Sequence, residues 1–340
     1  MNIKEFEKNT SKYAIEKKPF LFLIDFECKK PFVCTTEDAA DNGLFFDING
    51  KSNVKKSKKN CNIKLKSTPI NKHVFSKKLK QVIQHINNGD TYLLNLTFPT
   101  KIETNMSLED MFFMAKAPYK LLFKNKFVVF SPECFIKIKN NEIYTYPMKG
   151  TIDASINNAE QLLINNKKEE WEHNTIVDLL RNDISTIAKN VIVTKYRYVE
   201  KIKTHKNEIL QTSSEIKGQL SNDWQKNLGS SILKLLPAGS ISGAPKKKTV
   251  EIIKKTEIVP RDYYTGVFGI FDGEKLDSAV AIRFIEQKNK NLFFKSGGGI
   301  TSKSNVNDEY NELIQKIYVP TWVVIKFPII VVASNYGFFF

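Results

Sequence analysis

The chain has 340 residues, 41% of them hydrophobic and 26% charged, which is ample for a packed core and ordinary for a globular protein. Its formal net charge of +16 points toward nucleic acid, but only four of the 52 basic residues are arginine (Arg181, Arg197, Arg261, Arg283), and the lysines are spread along the chain. Readers of nucleic acid favour the planar fork of arginine, so no nucleic-acid partner is expected. The dense run from Lys51 to Lys66 reads as a solvated loop.

Four cysteines (Cys28, Cys34, Cys61, Cys134) lack metal-ligand spacing and read as reduced thiols. The N-terminus carries charge where a leader would need an apolar run, so the cytoplasm is the expected compartment. Positions 318 to 340 form an atypical apolar tail broken by Pro320, Lys326 and Pro328, too interrupted to span a membrane. It reads as an added strand or a frameshifted end. Its break in composition favours the second, and no function is placed there.

In chain order, apolar runs predict strands over Pro19–Val33 and Gly43–Ile48. Helical spacing over Phe75–Ile86 ends at Asn87-Asn88-Gly89-Asp90, and Tyr92–Phe98 follows as a buried strand. Ser107–Ala115 is a helix that Ser107 can cap. Strands follow at Lys120–Phe130, Phe135–Ile138 and Glu142–Pro147, then one long helix over Leu162–Arg181. Ile192–Val199 and Ser214–Leu220 are strands, and Trp224–Leu236 and Lys246–Lys255 are helices around a glycine-rich loop. Strands at Val267–Phe271, Ser278–Glu286 and Asn291–Gly297 lead to a helix over Asn307–Ile317. Grouped strands with helices between them predict an α+β fold of antiparallel sheets and flanking helices. One domain over 1–317 is expected, more divergent up to about 100.

Three features carry chemistry. Glu169 and Glu172 share one helix face, and Glu309 and Glu312 another, each pair at i, i+3. Two such faces across a cleft could offer oxygen ligands to a hard cation such as Mg²⁺; surface glutamates have the same spacing. Pro237–Lys246 and Ser296–Ile300 are rich in small residues and could form anion-binding nests before helices; plain turns look alike. Arg283, inside the apolar run Ala279–Phe284, must be paired, either in a structural ion pair or as a carboxylate clamp in a pocket.

Together these segments resemble the chorismate-binding enzymes, a family that includes anthranilate synthase, aminodeoxychorismate synthase component I, and the isochorismate and salicylate synthases. The resemblance runs from about Leu21 to Lys316. It is carried by Gly89-Asp90-Thr91-Tyr92 with Asn95-Leu96-Thr97, Ser131-Pro132-Glu133, and Pro147-Met148-Lys149-Gly150-Thr151. Glu169-x-x-Glu172 with Ile176–Asp183, the Gly239–Lys246 loop, and Tyr264-x-Gly266-x-x-Gly269 continue the series. Ala281-Ile282-Arg283, Gly297–Ile300 and Glu309-x-x-Glu312 with Lys316 close it.

The resemblance implies roles. Glu172 and Glu312 would bind Mg²⁺, supported by Glu169 and Glu309, and the metal would hold the ring carboxylate of chorismate. Gly297, Gly298 and Gly299 and the amides of Ser242, Gly243 and Ala244 would line the site. Arg283 and Tyr264 would grip the enolpyruvyl carboxylate, Lys316 would add charge, Thr151 would line the pocket, and Glu133 would act as general acid on the C4 hydroxyl. Lysine in the middle of Pro147–Thr151 resembles the aminodeoxychorismate synthases, whereas anthranilate synthases resemble Pro-x-Ala-Gly-Thr. Lys149 would attack C2 as a neutral amine, its pKa lowered by burial beside cations. Leu93 stands where the isochorismate and salicylate synthases resemble each other in carrying a water-activating lysine, and Gln211 stands where many relatives have histidine. The implied partners are a glutamine amidotransferase subunit that supplies ammonia and a separate lyase downstream. Anthranilate synthase and a catalytically degenerate chorismate-binding protein are the alternatives.

Overall fold

A computed structural model describes residues 1–55, 64–203 and 208–320. Cys61, half of the Lys51–Lys66 run and the tail beyond Pro320 lie outside the described residues.

The chain opens with helix α1 (Ile3–Ile15), which the apolar pattern did not announce; Asn2 and Glu5 form a reciprocal cap at its start. Strands β1 (Phe20–Ile24), β2 (Phe32–Thr35), β3 (Leu44–Ile48), β4 (Lys51–Ser52) and β5 (Leu65–Thr68) lead to helix α2 (Lys72–Asn87). Next come β6 (Leu93–Thr104), α3 (Leu108–Met114), β7 (Tyr119–Phe123), β8 (Phe127–Ser131), β9 (Cys134–Lys139), β10 (Glu142–Thr145) and β11 (Met148–Asp153). The middle third holds α4 (Ala159–Asn165), α5 (Lys167–Ser185), β12 (Lys189–Lys203), β13 (Glu208–Gln219), α6 (Leu228–Lys234), α7 (Gly239–Ser242), β14 (Gly243–Ala244) and α8 (Lys246–Thr256). The last part is β15 (Val267–Phe271), β16 (Leu276–Val280), β17 (Phe284–Lys288), β18 (Asn291–Ile300) and α9 (Val306–Gln315).

The strands form two antiparallel sheets. One runs β11-β13-β10-β9-β16-β15-β1-β2 with β12 on β13, and the other runs β14-β6-β18-β17-β8-β7-β3-β4 with β5 on β6. Alternation of side chains along β1 explains the layering. Leu21 and Leu23 enter a core shared with Leu44, Leu121, Val129 and Phe284 of the second sheet. Phe20, Phe22 and Ile24 face the other way, into a core with Phe6, Phe75, Leu79, Ile232 and Ile252 from the helices. A strand buried on both faces has no polar alternation, which is why β1 reads as a continuous apolar run. Ser107 caps α3 as expected.

Several predicted elements are broken in two, three of them for a clear local reason. The helix expected over Leu162–Arg181 becomes α4 and α5, because Asn166 is extended (ψ 104°) and its side chain accepts from the amides of Lys168 and Glu169. Lys120–Phe130 is the hairpin β7–β8, turned at Asn125 (φ 60°). The strand expected over Ser278–Glu286 ends at Val280 in one sheet and resumes at Phe284 in the other. Arg283 therefore sits at a crossing between sheets, with φ 54°, and not inside a strand.

One buried ion pair ties the second sheet to the loops beside it. Arg261 and Glu257 are four residues apart just past the end of α8, with side chains 2% and 4% exposed and an Nη2–Oε1 distance of 2.6 Å. Arg261 also donates to the carbonyls of Ile241 (2.8 Å) and Asn95 (2.5 Å), while Glu257 accepts from the Thr97 amide (2.9 Å). Removing one partner strands the other charge in a dry site, at a cost of about 3–5 kcal/mol. Arg261→Met should therefore lose that order of stability in urea unfolding, and Arg261→Met/Glu257→Leu should lose clearly less. Equal losses in the two variants would show that the charge pair is not what matters there.

Candidate active site

The chemistry-bearing residues converge on one cavity of about 510 Å³ between the ends of the two sheets and helices α5 and α9. Its walls include Glu133, Lys149, Thr151, Glu169, Glu172, Tyr264, Arg283, Gly297, Gly299, Glu309, Glu312 and Lys316, so nearly all residues singled out from the sequence meet there.

Strand β11 delivers Lys149. Gly150 has φ +76° and opens the register between Lys149 and Thr151, a bulge that only a residue tolerant of the left-handed region adopts without strain. A Cβ on Gly150 would stand 3.3 Å from a carboxylate oxygen of Glu169, so the bulge also lets α5 close in. Lys149 Nζ lies 3.1 Å from Glu172 Oε2. Burial pulls its pKa down, but Glu172, Glu312 and Glu169 outweigh burial and hold the ammonium above the usual lysine range. The expectation of a lysine pushed toward neutrality is thus reversed here: the nearest charges are carboxylates, not cations.

Helices α5 and α9 bring their glutamate pairs to the same cavity, as the spacing predicted. Asn166 and Asn305 cap the two helices, so Glu169 and Glu309 sit in first turns, near the positive helix ends. Glu312 Oε1 pairs with Lys316 Nζ at 2.5 Å. Burial raises Glu169, with Glu172 adding to the shift, and burial raises Glu309 with help from Glu312. Burial would raise Glu312 too, but Lys316 holds it below the usual carboxylate range. Lys316 in turn is lowered by burial despite that pair.

Among the described residues no three acidic, histidine or cysteine side chains gather in ligand geometry, because Glu172 and Glu312 are turned to lysines. The donor set nonetheless suits a hard divalent cation. It is all carboxylate oxygen, Glu309 Oε2 is buried without a hydrogen-bond partner among the described residues, and a Cβ on Gly298 would lie 3.3 Å from both Glu309 Oε2 and Glu312 Oε1. The missing side chain leaves space between the two carboxylates.

Gly297, Gly298 and Gly299 do not form a nest before α9. They belong to β18 and pair with Thr97, Leu96 and Asn95 of β6. A Cβ on Gly297 would meet the Leu96 carbonyl oxygen at 2.3 Å, so close strand packing and not anion binding requires glycine there. The other proposed nest also changes meaning. Gly243 and Ala244 pair with Leu94 and Leu93, and the buried Ser242 donates to the Ala238 carbonyl at 2.9 Å. It is Ser240 and Ile241 that reach the cavity from this loop.

Arg283 has no acidic partner within ion-pair distance among the described residues, its Nε donating to Tyr318 Oη at 3.4 Å, so the structural ion pair is not formed and the guanidinium lines the cavity. Tyr318 lies beside it, its ring centroid 5.4 Å from the guanidinium carbon. Tyr318 belongs to the apolar tail in which the sequence suggests no function, yet it lines the cavity, and Val319 is buried in the core. Tyr264 is buried, tilted against Phe284 at 5.8 Å. Glu133 follows β8; burial raises its carboxyl, opposed by a hydrogen bond from Ser240 and by the charges of Lys149, Arg283 and Lys316. Gln211 lines the cavity opposite Thr151 in the β11–β13 ladder, and Leu93 is buried beside Lys149. Asn95 and Ser240, inside recognised segments but given no role there, and Lys168, Gln315 and Tyr318, beside such segments, also line the site. The described cysteines are free and keep their thiols protonated, pushed up to about 11 at Cys28 and about 12 at Cys34 and Cys134 by burial.

The model of the family described as chorismate binding enzyme matches residues 9–321. The chain belongs to that family. It is 53% identical over 322 residues to an uncharacterized PabA-like protein of Pasteurella multocida, covering 94% of this chain and 99% of the relative. It is 30% identical to aminodeoxychorismate synthase component 1 of Salmonella typhimurium and 29% identical to anthranilate synthase component 1 of Acetivibrio thermocellus. These matches cover 72% and 73% of this chain but only 56% and 52% of the two relatives. The fold is that of a Bacillus anthracis protein solved as a putative 2,3-dihydroxybenzoate-specific isochorismate synthase, with a TM-score of 0.70, 19% identity, and 93% and 88% of the two chains covered. No helix among the described residues is long and apolar enough to cross a membrane.

Behind Glu172, the fully buried His173 sets its Nε2 2.6 Å from Ser214 Oγ, while its Nδ1 has no partner among the described residues. Burial, with Arg197 and Lys149 adding, lowers its pKa from 6.5 to about 4. A base whose folded pKa is depressed favours folding above its unfolded pKa, and that contribution is lost as pH falls. The metal-free protein should therefore lose melting temperature more steeply between about pH 6.5 and pH 4 than His173→Gln does. Parallel melting curves across that window would contradict the assignment.

Proposed function

We propose that this chain is the synthase component of an aminodeoxychorismate synthase, converting chorismate and ammonia to 4-amino-4-deoxychorismate in the cytoplasm, on the route to 4-aminobenzoate and folate. The observation that carries the reading is Lys149: a lysine whose amine enters the same cavity as the half-buried acid Glu133 and the guanidinium of Arg283. Arg283 and Tyr264 would hold the enolpyruvyl carboxylate, with Lys316 adding charge. Glu172 and Glu312 would bind Mg²⁺, with Glu169 and Glu309 beside them. When bound, the ion would supply the positive charge these carboxylates otherwise draw from Lys149 and Lys316, and a grip on the ring carboxylate.

Lys149 must shed its proton and leave Glu172 before its nitrogen can attack C2. As the N–C2 bond forms, the ring double bonds shift and the C4–O bond breaks, and Glu133 delivers its proton to the departing hydroxyl, which leaves as water. Ammonia then adds at C4, the double bonds shift back, and the C2–N bond to Lys149 breaks. Ammonia would come from a glutamine amidotransferase subunit, and a separate lyase would act on the product. Leu93, apolar and beside Lys149, offers no base to activate water at C2, which weighs against the isochorismate-forming reading.

The deciding experiment supplies chorismate, Mg²⁺ and ammonium, with and without an aminodeoxychorismate lyase. 4-Aminobenzoate appearing only with the lyase is expected. Anthranilate without it would mean amination at C2, and no turnover would favour a degenerate binding protein. Lys149→Ala should cut amination about a hundredfold or more while calorimetry still detects chorismate binding; loss of binding would mean the lysine holds substrate instead. Mg²⁺ should also raise the melting temperature of the wild type, reversibly with chelator, and raise it less in Glu312→Gln. An equal rise in both would remove Glu312 from the metal site.

A further inference from the structure

Nothing above gives Ser240 a role, yet it makes the one side-chain hydrogen bond that Glu133 has among the described residues: its hydroxyl donates to Glu133 Oε1. We propose that Ser240 is a positioning residue for Glu133, fixing the carboxyl rotamer and confining the transferable proton to the other oxygen, Oε2. This rests on the reading of Glu133 as the general acid and deepens it.

Ser240 can do this because its loop is held on every side. The Ile241 carbonyl accepts from Arg261 Nη1 at 2.8 Å, Ser242 Oγ donates to the Ala238 carbonyl at 2.9 Å, and Gly243 and Ala244 pair with Leu94 and Leu93. A Cβ on Gly239 would lie 2.9 Å from Leu179, so the loop is seated against α5 without slack. At the loop's exit Lys246 Nζ pairs with Asp183 at 2.8 Å. Glu133 leaves the β8–β9 connection at a fixed angle as well, its amide donating to Ser131 Oγ at 3.1 Å and its carbonyl accepting from the Val280 amide at 3.1 Å. Two rigid loops thus meet through one hydroxyl.

The charged and titratable groups that act on this carboxyl are Lys149 from β11, Arg283 from the crossing between sheets, Lys316 at the end of α9, Tyr264 and Cys134. The three cations favour the ionised form, and so does the Ser240 hydroxyl; burial opposes them and prevails. Without the hydroxyl the ionised form loses a donor and the carboxyl titrates higher still. The rotamer is also freed, so the acid no longer waits at one place.

The test uses the full chain labelled with [δ-¹³C]glutamate, the Glu133 resonance being assigned by its loss in Glu133→Gln. Ser240→Ala should raise the Glu133 titration midpoint by about one pH unit, and Ser240→Thr should restore it. With chorismate and ammonium, Ser240→Ala should lower kcat about tenfold or more and leave KM within about threefold. The limb on which activity falls with rising pH should move upward with the midpoint. A midpoint unmoved in Ser240→Ala overturns the proposal, and so does a kcat loss that Ser240→Thr shares. If the wild type does not turn over chorismate, the functional reading falls by itself, and the titration alone still decides whether Ser240 governs Glu133.

Discussion

The cavity depends on a charge pair that barely touches it. Arg261 and Glu257 are sealed from water, and between them they hold the backbone of β6 at Asn95 and Thr97 and the Gly239–Ser242 turn at Ile241. These are two walls of the site, and the loop from Arg261 to Thr265 that carries Tyr264 is a third. A guanidinium suits the task because its five donors lie in one plane and can serve a carboxylate and two carbonyls at once. Lysine, with a compact ammonium, could not span the same set.

Inside the walls the balance of charge is unusual. Five glutamates share the cavity with Lys149, Lys168, Lys316 and Arg283, and neither sign is neutralised by water to the degree a surface would allow. The outcome differs residue by residue. Lys149, with three carboxylates near it, is held protonated, and Lys316, with one, yields to burial. Glu169 and Glu309, without a lysine in contact, are driven toward the neutral form. A site poised in this way has strong electrostatic reasons to take up an anion and a cation together.

Much of this was legible in the sequence. The i, i+3 glutamates could only share a helix face, and both pairs do face the cavity. Continuous apolar runs marked the strands buried on two sides. The errors have physical causes. Asn166 reads as a polar residue in a helix, but its side chain competes for the amides ahead of it and starts a new helix. Arg283 sits in a run of β-formers, and nothing in residue pattern reveals that the chain changes sheets there. Three glycines in a row suggest an anion nest, whereas the close approach of β6 explains them equally well and is what the fold contains. The Arg261–Glu257 pair is i, i+4 on its face, and only burial distinguishes it from a solvated surface pair. The sign of the Lys149 shift needed the neighbours' positions, which sequence order alone does not supply.

The paired stretch of β6 and β18 gives the cavity a floor of bare peptide where Gly297 and Gly299 lie. A floor without rotamers cannot adapt: its contour is set by the ladder, and any ligand meets the same row of peptide dipoles. Discrimination among ligands must then come from the rim, where Lys149 and Gln211 carry side chains that can turn. Such a division lets one chassis host different chemistries by exchange of a few rim residues, while the floor and the pair beneath it stay as they are.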